Sequence, residues 1–247
     1  MIHFPDLTLK GTTYRLKELT IGESIAIAAM PGHREESNVT AMVKAVASHS
    51  DGTPVDPLSL TAEERLAIMA HYMVCTLDDG PDFAMGSDGA RYSDYVDFSL
   101  GSDEPVDPAE IGDVKGDRWS LAPLTGLSLE SIERLQGQVG DLSGRSHWII
   151  CSMAAQLYRE GESIPGDPDA MDAWIKQRGQ VFAAYPGSDF STLFIRWAQC
   201  RAERRYLYRI DFSADGIVVA PRSGGAASAL ARFPIHSAIT PVARLLG

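Results

Sequence analysis

Residues Ser143 to Tyr206 place the strongest constraint on the fold, because they carry three successive apolar stripes at helical spacing. The first holds Trp148, Ile149, Ile150, Met153, Ala154, Leu157 and Tyr158. The second holds Met171, Trp174, Ile175, Val181 and Phe182, and the third Phe190, Leu193, Phe194, Trp197 and Cys200. Apolar residues recurring three and four positions apart lie on one face of a helix, and such faces must bury against one another. Three of the four tryptophans lie here, so this stretch is expected to form the main aromatic core.

The rest of the chain alternates between the two periodicities. Leu7, Leu9, Tyr14 and Leu16 alternate with polar neighbours around Lys10-Gly11-Thr12-Thr13, which predicts a β-hairpin over Ile2 to Leu19. Thr20 followed by Glu23, and Thr61 followed by Glu64, have capping-box spacing and predict helix starts. The first of these helices would bury Ile21, Ile25, Ala28 and Ala29. Another helix opens at Ser37 or Asn38, and a further short one at Ser128. Ser188 or Asp189 would cap the third helix of the core stretch. Tyr206 to Val219 returns to a period of two around Ser213-Ala214-Asp215-Gly216, a second hairpin. The fold class expected is α+β: predominantly helical, with an N-terminal and a C-terminal β-hairpin.

Charge divides the chain. Twelve acidic residues lie between Asp78 and Asp117 against Arg91 and Lys115, so this span holds most of the net charge of −11. It is rich in Gly, Pro and Ser and reads as a loop-rich insertion with short strands at Phe83–Met85 and Tyr95–Phe98 and a turn at Asp88-Gly89. Cations concentrate afterwards, at Arg196, Arg201, Arg204, Arg205 and Arg209, then Arg222, Arg232 and Arg244. The organisation expected is a hairpin-plus-helices module at 1–77, the acidic insertion at 78–118, a helical core module ending in a hairpin at 119–220, and an arm with a docking tail at 221–247. Leu19-Thr20 with Ile21, Glu23 and Ile25 echoes Leu124-Thr125 with Leu129, Glu130 and Ile132, which is either a duplicated module or a coincidence of helix starts.

Catalytic and metal-binding patterns are weak. His71 and Cys75 have a helical ligand spacing without a second pair, and zinc requires three or four ligands. The acidic span lacks the alternating carboxylates of a calcium loop. Cys151 sits four residues from His147, among core positions where a thiol is inert. Gly-x-Ser-x-Gly and phosphate-loop motifs are absent, and the Glu130/Glu133 and Glu160/Glu162 pairs fit exposed helix faces and ends. Cys75, Cys151 and Cys200 are widely spaced and read as reduced thiols. The N-terminus shows no basic region followed by an apolar run, and no window has membrane-spanning length. The expectation is a protein that is not an enzyme, with no metal, cofactor, small-molecule substrate, nucleic acid or membrane partner. The arginine series either contacts an acidic surface of a neighbouring molecule or pairs with the chain's own acids.

Three segments together resemble tailed-bacteriophage proteins encoded among tail genes: Leu-Thr-Ile-Gly-Glu-Ser-Ile at 19–25, Pro-Leu-Ser-Leu-Thr-Ala-Glu-Glu-Arg at 57–65, and Ala-Pro-Leu-Thr-Gly-Leu-Ser-Leu-Glu at 122–130. The resemblance lies mainly within Leu7 to Cys75 and is to T4-type baseplate proteins, and less closely to tail assembly chaperones. It implies a structural, non-enzymatic tail or baseplate component, present in multiple copies and located in the virion, with host cytoplasm as the place of assembly. The alternative it implies is a chaperone that binds a tail protein transiently. The interface residues expected are Arg201, Arg204, Arg205, Arg209, Arg222, Arg232, Phe233, Ile235, Leu245 and Leu246, the tail segment inserting into a neighbouring subunit.

Overall fold

A computed structural model describes residues 2–85, 89–100, 109–223, 229–233, 235–239 and 241–246. The fold is α+β, with helices and small antiparallel sheets. It divides into two compact units. Unit 1 comprises 1–104, 206–211 and 218–247; unit 2 comprises 105–205 and 212–217.

Unit 1 opens with β1 (Leu7–Leu9) and β2 (Thr12–Leu16), joined by the two-residue turn Lys10-Gly11 with φ of 46° and 78°. Positive φ at both central positions gives the turn whose twist matches paired strands. Helix α1 (Ile21–Ala28) follows, with the Thr20 hydroxyl accepting from the Glu23 amide and the Glu23 carboxylate accepting from the Thr20 amide. Helix α2 (Glu35–Val46) runs without a loop into β3 (Ala47–His49), which pairs antiparallel with β2, Leu16 opposite Ala47 and Tyr14 opposite His49. Helix α3 (Ala62–Thr76) starts from the second foreseen capping box, Thr61 with Glu64. Met42, Val43, Val46, Ile68, Met69 and Met73 form the core between these elements.

Unit 2 repeats this plan. Strands β4 (Ala109–Val114) and β5 (Asp117–Leu121) are joined by Lys115-Gly116, again both at positive φ, 57° and 83°. Thr125 caps α4 (Gly126–Arg134), its hydroxyl accepting from the Ser128 amide. Helix α5 (Gly144–Gln156) passes directly into β6 (Leu157–Arg159), which pairs antiparallel with β5, Leu121 opposite Leu157 and Trp119 opposite Arg159. Asp167 then caps α6 (Pro168–Ala183), accepting from the Ala170 amide. The turn lysine, turn glycine, buried aromatic of the middle strand and first cap threonine all recur 105 positions on: Lys10 and Lys115, Gly11 and Gly116, Tyr14 and Trp119, Thr20 and Thr125. Shared strand order, register, turn geometry and caps decide the sequence echo in favour of a repeated β-β-α-α-β-α module.

Unit 2 adds α7 (Gly187–Glu203), which packs on β4. Strands β7 (Arg209–Phe212) and β8 (Ile217–Ala220) form the foreseen C-terminal hairpin. Short helices α8 (Ile235–Ala238) and α9 (Pro241–Leu246) complete unit 1, α8 lying against both α2 and α3, and α9 against α1.

Several expectations change. The stretch from Asp78 to Leu100 is folded into unit 1, burying Phe83, Tyr95 and Val96. Its carboxylates act as local acceptors: Asp79 takes the Ala84 amide, Asp82 the Ser93 amide and Asp94 the Arg91 amide. Such side-chain bonds replace ladder bonds. The two short strands are accordingly reduced to one bridge, Ala84 with Arg91, followed by a 3₁₀ turn at Tyr92–Asp94. Asp88 of the expected turn lies outside the described residues. Strand β4 was hidden in the acidic span, which therefore contributes to both units. Leu157 and Tyr158 lie in β6, beyond the end of their helix. Helix α4 is capped by Thr125 rather than Ser128, α2 starts after Arg34, and α7 after Pro186.

Candidate interaction surface

The expected contact residues fall into three groups. Arg201, Arg204 and Arg205 lie at the end of α7 in unit 2, whereas Arg209, Arg222 and Arg232 belong to unit 1. Arg201 is half-buried, its guanidinium stacked over Trp197 and Phe212 at 4.6 and 4.8 Å from the ring centroids. Arg204 is exposed and Arg205 half-buried. Arg209 faces Asp97 at 3.8 Å, an ion pair within the chain. Arg222 is exposed, its backbone N–H donating to the Asp94 carbonyl, and Arg232 is half-buried.

Phe233 and Ile235 are corrections. They are 3% and 0% exposed and belong to the core of unit 1. Phe233 meets Phe83, Tyr92 and Tyr208 edge-to-face at 6.3, 5.9 and 5.8 Å between centroids. The Ile235 amide donates to the Glu35 carboxylate at 3.1 Å. Ala231 bridges to Val219, and Ile239 and Ala243 are also buried. The tail segment inserts, but into its own unit, where the space beside α2 and α3 supplies the apolar area that a neighbouring subunit was expected to offer. Residues 224–228, part of the expected arm, lie outside the described residues.

Leu245 and Leu246 stay outside, 86% and 63% exposed. With Val242, 58% exposed, they form an i, i+3, i+4 stripe on α9, while Ala243 faces inward. Helix α1, on which α9 packs, adds Ile21, 54% exposed, and the exposed small residues Gly22, Ala26 and Ala29. The charged side chain of α1, Glu23, is held by Lys17 at 2.8 Å and by the cap; the lysine and these hydrogen bonds keep its carboxyl at about 2. The exposed positions of α1 thus carry no charge. Of the face that the sequence places inside the protein, Ile21 and Ala29 are exposed and Ile25 and Ala28 half-buried; Ser24 and Ile27 point inward. Isoleucines and alanines spread around the helix give periodicity little means of choosing.

Candidate chemical centres behave differently. His147 is buried; its Nε2–H donates to the Ile132 carbonyl at 2.8 Å, leaving Nδ1 to accept from the Cys151 thiol at 3.6 Å. Burial pushes the Cys151 thiol up to about 12 and lowers His147, so the pair is a neutral core contact. No cluster of three or more His, Cys, Asp or Glu suited to a metal ion gathers among the described residues. Arg65 and Glu36, 2% and 4% exposed, form a buried pair in unit 1. Arg65 also donates to Thr40 Oγ1, the Pro57 carbonyl and the Glu36 carbonyl, which locks α2 to α3. In unit 2, Arg178 spans from the Leu157 carbonyl to Glu162 while stacking 4.1 Å from the Trp174 centroid, tying α6 to β6. Each of these groups is bonded into the fold around it.

No protein-family model, curated protein or solved structure matches this chain.

Proposed function

We propose that this protein is a non-enzymatic interaction component of a bacteriophage tail or baseplate, acting through the α1–α9 face of unit 1. The observation that carries the interaction reading is the set of exposed apolar residues Ile21, Val242, Leu245 and Leu246 on two packed helices, with Arg244 the exposed charge of α9. Their exposures amount to roughly 500 Å², within the range of the largest apolar patch on a typical monomer, and such patches are often functional. The tail setting rests on the resemblance at residues 19–25, 57–65 and 122–130.

The test is mass spectrometry of purified particles, with wild type and Leu245→Asp/Leu246→Asp compared. The reading expects wild-type protein in mature particles and loss of the variant from them while it stays folded. Protein found only in assembling cells would move the assignment to an assembly chaperone. Equal incorporation of the variant would remove the α1–α9 face from the assignment.

A further inference from the structure

We infer that the α1–α9 face is a self-complementary dimer interface, its occupant the same face of a second copy of this chain; this rests on the interaction reading above. The repeated module supplies the first argument. Position by position, Ile25 and Ala29 of α1 correspond to Glu130 and Arg134 of α4. In unit 2 these two residues form an ion pair at 3.5 Å, and Arg134 reaches Asp172 of α6 at 2.8 Å. Helix α6 also covers α4, whose residues are almost all buried. Unit 1 holds apolar residues at these two positions, Ile25 half-buried and Ala29 exposed at the C-cap of α1. The same scaffold holds charge at this turn in one unit and excludes it in the other, which is what an apolar occupant requires.

The second argument is area. A standard interface buries about 800 Å² per partner, of which about 56–65% is apolar. The roughly 500 Å² of exposed apolar surface on α1 and α9 matches that apolar share. The third is complementarity. One unit carries both an outward helical stripe of large residues, Val242, Leu245 and Leu246, and a helix, α1, whose exposed small residues Gly22 and Ala26 lie beside exposed Ile21 and half-buried Ile25. A two-fold axis sets the large stripe of each copy on the small-residue face of the other, the isologous arrangement in which every contact occurs twice.

Net charge fixes the salt response. Two copies of a chain carrying −11 repel, and salt screens that repulsion without weakening apolar contact. Dimerisation is therefore expected to tighten with salt, the opposite of an assembly joined by arginine and acidic surfaces.

Sedimentation velocity on the full chain from about 1 to 200 μM, at 50 and 500 mM NaCl, tests the inference. The wild type is expected to form a dimer that strengthens at high salt. Leu245→Asp/Leu246→Asp is expected to weaken it at least 100-fold. Ile25→Glu/Ala29→Arg, which installs the residue pair already accommodated by α4, is expected to do the same with an unchanged far-ultraviolet dichroism spectrum. An equimolar mixture of the two variants should recover part of the dimer, because one of the two symmetric contacts is then intact. A wild type that stays monomeric throughout overturns the inference, as does a dimer that either folded variant leaves intact or that weakens with salt. A monomer still recruited to particles through Leu245 and Leu246 would sink the second-copy assignment while leaving the proposed function standing.

Discussion

Removing the Phe233 ring tests whether the C-terminal segment is core or appendage. Phe233 is 3% exposed and touches three aromatic rings, two of them on the stretch from Phe83 to Tyr92 and the third at Tyr208. Phe233→Ala deletes a buried ring from a site whose walls come from separate parts of the chain, so the cavity cannot close by moving one element. Such substitutions cost about 3–5 kcal/mol, the loss of transfer energy plus the residual cavity. For a unit of this size, that corresponds to a fall in Tm of roughly 10–15 °C. Phe233→Leu, which fills most of the volume but loses the ring edges, should cost about 1.5 kcal/mol or less. Urea denaturation followed by far-ultraviolet dichroism gives the free energy, and hydrogen exchange at the amides of Tyr92, Val219 and Ala231 assigns it to unit 1. A cost below about 1 kcal/mol for Phe233→Ala, with exchange unchanged at those amides, would show that the tail is an appendage after all.

The other expectations are smaller or more local. Arg65→Ala leaves Glu36 buried without its guanidinium and should cost about 3–5 kcal/mol in urea denaturation, most of it restored by pairing Arg65→Met with Glu36→Gln. Thr20→Ala and Thr125→Ala remove equivalent caps, each worth about 1 kcal/mol by thermal denaturation; the Thr20 loss should be the larger, since it also breaks a capping box. Burial raises the Glu162 carboxyl, but Arg178, Arg159 and the Arg159 amide outweigh it and hold the group at about 2. A depressed carboxyl stabilises the fold above its unfolded value of 4.5, and that contribution is lost as pH falls from 4.5 towards 2; screening leaves about 1–2 kcal/mol of it. All four tryptophans lie in unit 2, so fluorescence-detected urea curves follow this loss, and Glu162→Gln should flatten it. His147, lowered by burial, stays neutral in the fold while the unfolded chain takes up a proton below about 6.5, so unit 2 should begin to lose stability below that pH, and His147→Gln should remove this first step.

Local chemistry made half of this architecture legible. Thr20 with Glu23 and Thr61 with Glu64 name their own helix starts, and Lys10-Gly11 between alternating residues names a hairpin, because each signal is complete within a few positions. Strands β3 and β6 are only three residues long and continue directly from helices, so no period of two develops; their conformation is imposed by pairing with β2 and β5. Strand β4 was masked by its own outward carboxylates, among them Glu110, which pairs with Arg118 across the hairpin at 2.9 Å. The burial of Phe233 depends on partners up to 150 positions away, Phe83 the farthest, which no local pattern encodes. Of the candidate surface, Leu245 and Leu246 were expected to insert into a neighbouring subunit and are exposed in this chain, whereas Ile21 was assigned to the interior.

The repeat explains why the surface lies where it does. Both modules keep what closes the backbone: the Lys-Gly turn, the cap threonine, the direct passage from second helix to third strand, and an aromatic opposite a cationic or imidazole side chain. Trp119 faces the Arg159 guanidinium at 5.7 Å from its centroid, and Tyr14 faces the His49 ring at 5.6 Å. What differs is how the first helix is covered. Unit 2 lays α6 along both α4 and α5. Unit 1 brings α9 to α1 and fits α8 against α2 and α3. A six-residue helix covers less than a sixteen-residue one, so α1 keeps an open side. In a chain with so many acids, half-buried Ile25 and exposed Ala29 stand where the counterpart holds Glu130 and Arg134. Solvent exposure alone gives no reason to replace charge with apolar surface, since it costs solubility without adding to the core. The proposed contact with another molecule would.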